Sequence, residues 1–216
     1  PWTIRPRRRG GLVAWRRPDE PEWDDRDHPL MAATAALVRT LLENGPEESG
    51  IDRLTGLPNR AYFLDEAERR IERLIQDRLP GTLMVVSIDD MPRLSDMHGR
   101  DARNGVVARV AGLLRAMVRP ADLVARIGRD DFAIWLDGMD HMTAAERAEA
   151  MCGRRLTLPE APGRAPVSVP GLSIGIASRA ADSTADIRDL MPEAREASQY
   201  VRREGGGGWH VARLGA

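Results

Sequence analysis

With 216 residues and 42% hydrophobic content, the chain can build one domain of good size or one domain plus an extension. Its 32 basic and 33 acidic residues leave a formal net charge of -1, so no global field draws it to nucleic acid or to an anionic membrane. A single cysteine, Cys152, excludes an intramolecular disulfide and a cysteine-rich metal cluster, and no apolar run approaches the ~20 residues that a membrane helix needs. A cytoplasmic location is expected. Because the chain opens on Pro1 with no signal-peptide pattern, it reads as a fragment of a longer protein.

Residues 1–26 hold Trp2, Trp15 and Trp23 and a short apolar run, Gly11 to Trp15, which is too aromatic for a solvated tail. From Asp27 to Glu43 the residues Leu30, Met31, Ala35, Leu37, Val38, Leu41 and Leu42 recur at helical spacing. That stripe spans barely two heptads, enough for a dimeric handle or for folding back on the body. Asn44 to Gly50 combines a helix stop with turn residues and reads as a hinge. The main domain is therefore expected over 51–216.

Within it, Asn59 stands where it can cap a helix whose buried face carries Phe63, Leu64, Ala67, Ile71, Leu74 and Ile75. Thr82 to Ile88 is almost wholly apolar and fits a central strand covered on both faces. A short helix over Met91–Met97 and a longer one over Asp101–Val118 follow, the second stopped by Pro120. Leu123-Val124-Ala125 and Phe132 to Leu136 flank a Gly-centred turn, predicting a β-hairpin with Asp130 and Asp131 at its tip. Further elements are a helix over Thr143–Arg154, a Pro- and Gly-rich loop over Pro159–Pro170, a strand at Leu172–Ala177, a helix over Thr184–Glu204 and an edge strand at Trp209–Ala212. Strands alternating with helices predict an α+β layered fold around one central sheet.

The residues Asp52-Arg53-Leu54-Thr55-Gly56-Leu57-Pro58-Asn59-Arg60, Ser87-Ile88-Asp89, Gly128-Arg129-Asp130-Asp131-Phe132 and Leu172 to Ala177 together resemble, in order and spacing, the landmarks of GGDEF domains, the diguanylate cyclase family. The resemblance covers roughly Ile51 to Leu214 and implies the nucleotidyl-cyclase-like fold, a mainly antiparallel sheet flanked by helices. Gly10 to Asn44 resembles the last strand and closing helix of a GAF sensor domain. Active GGDEF domains condense two GTP molecules into cyclic di-GMP across a homodimer, with Mg²⁺ held by carboxylates.

Several positions depart from that pattern. Ser87 aligns with the metal-binding Asp of the central strand, which leaves Asp130, Asp131 and the Ile88 carbonyl as the metal ligands the resemblance implies. Arg129 replaces the second glycine after Gly128, setting a bulky cation where backbone should lie against phosphate. Ser95 and Asn104 align with the guanine-reading Asn and Asp, and an Asn offers one acceptor oxygen where an Asp offers two. Pro92 replaces a Lys, Arg202 matches the phosphate-contacting Lys of the last helix, and Gly206 and Gly207 replace an Arg-Asn pair. Metal, base and phosphate contacts are weakened together, so absent or very low cyclase activity is expected.

The family's inhibitory product site is an Arg-x-x-Asp motif five residues before the hairpin glycine, where Arg119 and Asp122 stand. An Arg fork suits guanine O6 and N7 or a phosphate, and an Asp can accept from N1-H and N2-H₂. The plain alternative is an Arg complementing a helix C-terminus beside a turn-forming Asp. A secondary arginine of that site aligns near Ala150, with Arg147, Arg154 and Arg155 as substitutes. Four functions follow: a cyclic di-GMP-binding module, a GTP-binding regulator of a linked phosphodiesterase, a weak cyclase, or a dimerisation scaffold. The four histidines have no metal-like spacing, Gly205 to Gly208 lacks the Lys of a phosphate loop, and Cys152 is expected as core filler rather than nucleophile.

Overall fold

The computed structural model describes residues 2–3, 9–10, 24, 27, 29, 31–36, 50–154 and 170–212. Two compact units divide the chain between Ser49 and Gly50. In the first, β1 (Trp2–Thr3) pairs antiparallel with β2 (Arg9–Gly10), and residues 31–36 are helical (α1). The strand-like run Gly11 to Trp15 and most of the hinge lie outside the described residues, as does the loop from Pro159 up to Pro170. Of the helix expected over Asp27–Glu43, positions 27, 29 and 31–36 are described and helical.

The second unit is built on β3 (Gly81–Ile88), all eight residues of which are buried. It pairs antiparallel with β5 (Asp131–Asp137) on one side and β6 (Leu172–Arg179) on the other. Outside these lie β4 (Leu123–Arg126), antiparallel to β5, and β7 (Trp209–Val211), parallel to β6, giving the order β4-β5-β3-β6-β7. The pleat sends alternate residues to opposite faces, so two cores form. Met84, Val86, Ile88, Phe132, Ile134 and Leu136 face one core with α3 (Met91–Met117) and α4 (His141–Cys152). Leu83, Val85, Ala133 and Trp135 face the other with α2 (Arg60–Asp77) and α5 (Ile187–Arg203). The sheet is thus α+β, mainly antiparallel and flanked by helices.

Asn59 caps α2 by accepting the Tyr62 N–H at 3.0 Å. Phe63, Ala67, Ile71 and Leu74 are buried, but Ile75 is 41% exposed, one position beyond the stripe that meets the sheet. Helix α3 bends at Gly99 (φ 83°, ψ 176°), where the sequence predicts two separate helices. Asp140 and Asp186 cap α4 and α5, so these helices start at His141 and Ile187, shifted by a few residues from the spacing-based expectation.

Helix α5 lies unusually close to β6. A Cβ on Gly175 would stand 1.9 Å from the Ala194 carbonyl oxygen and 2.3 Å from the Ser198 nitrogen, so only glycine fits there. That approach brings the C-terminal half of α5 over the end of β3.

Candidate functional site

The hairpin tip is tied to the loop that opens the domain. Asp52 Oδ1 accepts the Thr55 N–H and hydroxyl at 2.9 and 2.7 Å, while Arg126 Nη1 donates to both Asp52 oxygens at 3.1 and 3.0 Å. Arg126 Nη2 reaches the Arg129 carbonyl at 2.7 Å, and its backbone N–H reaches the Pro58 carbonyl at 2.9 Å. Burial alone would raise the Asp52 pKa, but the Thr55 and Arg126 hydrogen bonds outweigh it and hold the carboxyl below its ordinary value. One ion pair therefore fixes both the signature loop and the turn.

In that turn, Asp130 and Asp131 separate. Both are predicted at the tip, yet Asp131 is the first residue of β5, directly opposite Ser87. The pairing extends because the Ser87 hydroxyl donates to Asp131 Oδ1 at 2.8 Å and accepts from Ser198 Oγ at 3.0 Å. Asp130 stays in the turn, and its Oδ1 is bound by the guanidinium of Arg103, a buried residue of α3 that also contacts the Arg129 carbonyl at 3.3 Å. Gly128 is half-buried, and a Cβ there would lie 2.7 Å from Asp131 Oδ2. Arg129 is exposed. The Ile88 carbonyl accepts from Arg202 Nη2 at 2.8 Å.

Next to this cluster Asp89, 8% exposed, accepts from Ser173 Oγ at 2.6 Å and from the Gly207 N–H at 2.9 Å, with Arg202 Nε at 3.7 Å. Burial pushes its carboxyl above the ordinary range, and those bonds only partly offset the push. A Cβ on Gly206 would stand 2.6 Å from Asp89 Oδ2. Gly206 and Gly207, at φ 74° and 71°, therefore wrap a buried carboxylate rather than present side chains. Ser95 and Asn104 lie on either side of the Gly99 bend, both partly exposed, and among the described residues neither side chain has a hydrogen-bond partner.

A second cluster forms where α3 turns into β4. Asp122 Oδ2 accepts the Arg119 N–H at 2.9 Å and Arg147 Nη1 at 3.0 Å, and the Asp122 side chain is 4% exposed. Arg119 is exposed, and among the described residues its guanidinium makes no hydrogen bond. Of the three substitutes for Ala150, Arg147 comes to Asp122, Arg154 is exposed beyond α4, and Arg155 lies outside the described residues.

Residue spacing gave no role to Arg103, Ser198 or Asp89. A signal for Arg103 exists, since it precedes Val106, Val107 and Val110 by three, four and seven residues and so shares their buried face. The link from Asp52 to Arg126 joins residues 74 positions apart and has no local signature.

The site thus lies in a mainly antiparallel central sheet flanked by helices on both faces, with carboxylates and glycine gathered where a hairpin meets the end of the middle strand. The model of the diguanylate cyclase GGDEF domain matches residues 49–207, and the chain belongs to that family. It is 29% identical over 186 residues to MucR of Pseudomonas aeruginosa, a bifunctional diguanylate cyclase/cyclic di-GMP phosphodiesterase, covering 85% of this chain and 27% of MucR. With the diguanylate cyclase TpbB of P. aeruginosa it shares 30% identity over 169 residues, 76% of this chain and 37% of TpbB. The solved GGDEF domain of TpbB superposes with a TM-score of 0.69 at 28% identity, covering 76% of this chain and 95% of that one. The GGDEF domain of DgcB from Caulobacter crescentus, solved with cyclic di-GMP, has the same fold (TM-score 0.70, 23% identity, 77% and 94% covered).

Mg²⁺ is the ion such cyclases use, and it demands about six oxygens in near-octahedral geometry. Here each residue that the resemblance assigns to it already has one oxygen engaged, Asp130 Oδ1 by Arg103, the Ile88 carbonyl by Arg202, and Asp131 Oδ1 by the hydroxyl standing at the aspartate position. No group of three or more His, Cys, Asp or Glu among the described residues could hold a metal. The arrangement does not fit the ion.

Proposed function

We propose that the chain is a degenerate GGDEF domain that does not cyclise GTP and binds cyclic di-GMP through Arg119, Asp122 and Arg147. The observation that carries this reading is the ion pair of 3.0 Å between Arg147 and Asp122, whose Oδ2 also accepts the Arg119 N–H, so a second guanidinium stands near the backbone of the exposed Arg119. Two forks on one surface suit a ligand with two guanines and two phosphates, because each can donate in parallel to O6 and N7 or to a phosphate. Asp122 Oδ2 orients Arg147 and, with 4% of its side chain exposed, acts from behind the arginines. In this role the Asp holds the binding surface in shape, and the arginines meet the ligand first.

The reading extends to the rest of the chain. Residues 1–26 form the end of a GAF-like sensor, 27–50 a signalling helix and hinge, and 51–216 the GGDEF domain of a cytoplasmic homodimer. At the hairpin, Asp130 and Asp131 are vestigial, and Ser95, Asn104, Gly128, Arg129 and Arg202 form at most a weak nucleotide surface. A second reading, GTP-dependent regulation of a linked phosphodiesterase, draws support from Arg129 and Arg202, whose exposed side chains would meet a triphosphate.

Calorimetric titration of cyclic di-GMP into the protein, with Arg119→Ala and Arg147→Ala alongside, tests the first reading. Micromolar or tighter binding that each substitution weakens at least tenfold is expected, in line with loss of a charge-assisted bidentate contact worth about 1.5–3 kcal/mol. Silence with cyclic di-GMP and saturable binding of GTP would transfer the function to the second reading. Linear turnover of GTP would refute both.

A further inference from the structure

Because each residue expected to bind a divalent ion already has an oxygen bonded to a group of this chain, Asp130 Oδ1 to Arg103, the Ile88 carbonyl to Arg202 and Asp131 Oδ1 to Ser87, the question is what neutralises them. We infer that the guanidinium groups of Arg103 and Arg202 occupy the role of that ion, making the hairpin cleft a fixed-cation site that excludes Mg²⁺ and Mn²⁺. The inference concerns the cluster around Asp130 and is independent of ligand binding at Arg119.

Three observations converge. Arg103 binds the Asp130 carboxylate from a buried position, with 7% of its side chain exposed, and also contacts the Arg129 carbonyl at the tip of the same turn. A guanidinium held there blocks approach of a second cation to Asp130 by repulsion as well as by volume. Arg202 bonds the Ile88 carbonyl at 2.8 Å and stands 3.7 Å from Asp89, so it closes the cleft from the opposite element. Ser87, neutral and bonded to Asp131 and Ser198, contributes no charge to attract an ion.

Most of the negative charge is met without metal. Asp89, Asp90, Asp130 and Asp131 bring four negative charges when ionised, and Arg103, Arg202 and the neighbouring Arg129 bring three positive ones. A divalent ion added to this set would leave an excess of one positive charge in a partly buried site. Removing one guanidinium, conversely, would leave a carboxylate or carbonyl seeking a cation, and a hard divalent ion would then be the best replacement.

The test titrates Mn²⁺ into the wild-type chain, Arg103→Ala and Arg202→Ala, reading free Mn²⁺ by its electron paramagnetic resonance signal and the melting temperature by circular dichroism. For the wild type, no saturable uptake into the millimolar range is expected, with a melting temperature that Mn²⁺ and a chelator leave unchanged. Arg103→Ala is expected to melt several degrees lower and to regain part of that loss in Mn²⁺, by ordinary ligand linkage. Arg202→Ala, a change at a side chain 40% exposed, should take up Mn²⁺ more weakly than Arg103→Ala. Saturable wild-type uptake that Asp130→Asn abolishes would overturn the inference. So would a folded Arg103→Ala protein indifferent to Mn²⁺, since the arginine would then not be what stands in the ion's place. Should Arg103→Ala fail to fold, the wild-type and Arg202→Ala titrations decide.

Discussion

Replacing Asp52 with Asn removes one charge and keeps nearly the same volume. In the native chain the Asp52 and Arg126 side chains are 23% and 12% exposed, the contact is two-pronged, and Arg126 Nε is buried with no hydrogen-bond partner. The substitution leaves a largely buried guanidinium whose remaining side-chain bond is to the Arg129 carbonyl. Breaking a fully buried pair costs about 3–5 kcal/mol, and the residual exposure of both partners lowers the expectation to roughly 2–3 kcal/mol. For a chain of this size that is a fall in melting temperature of about 4–12 °C.

Asp52 also sets a pH signature, because burial, which alone would raise its pKa, is outweighed by hydrogen bonds from Thr55, and after them Arg126, that hold its carboxyl low. Its folded-state pKa lies below the ordinary value of 3.8, so Asp52 stabilises the fold fully above that pH and loses its contribution as pH falls through the depressed folded value. Urea denaturation at pH 7 and again below pH 3.8 should therefore show Asp52→Asn clearly less stable than wild type at neutral pH, with the gap narrowing in acid. A double-mutant cycle with Arg126→Gln should return a coupling of about 1–3 kcal/mol. A neutral-pH difference below about 0.5 kcal/mol, or a gap that does not shrink in acid, would refute the argument that the pair locks the loop to the hairpin.

Gly175→Ala should be more damaging than its single methyl suggests. The new carbon meets backbone atoms of α5 at 1.9 and 2.3 Å, and the cost is expected at or above the upper end of the ~1–3 kcal/mol range for overpacking, read as a drop in denaturant midpoint. An unchanged midpoint would mean that α5 can slide off β6. Cys152, its thiol pushed up to about 11 by burial, is expected to react with a thiol reagent at pH 8 far more slowly than a free cysteine, and urea should expose it to full reactivity.

Much of the architecture was legible because its signals are local. The unbroken apolar run of β3, the Asn59 cap and the switch between periods of two and three to four residues each act over one element. Asp131 shows where that stops. Its neighbours in sequence put it at the hairpin tip, while its actual place in β5 depends on Ser87, 44 residues earlier, and on Ser198 beyond it. Arg103 is the same lesson in charge. Its position on the buried face of α3 was readable, but the partner that makes burial tolerable lies 27 residues away in a different element. Arg119 and Asp122, by contrast, were singled out by the Arg-x-x-Asp spacing of the family resemblance, and the Arg119 N–H bonds the Asp122 carboxylate within one turn.

The Arg103–Asp130 pair also bears on how such a sequence can evolve. Either residue altered alone strands an opposite charge in a site where the two side chains are 7% and 19% exposed, a penalty of a few kcal/mol that is a large share of a domain's ~5–15 kcal/mol of stability. A lineage that has set Arg103 against the family's hairpin carboxylate therefore stands behind a ratchet. Losing Arg103 strands Asp130, so return to metal binding requires a cation at hand when the arginine goes, or surplus stability elsewhere that tolerates the intermediate.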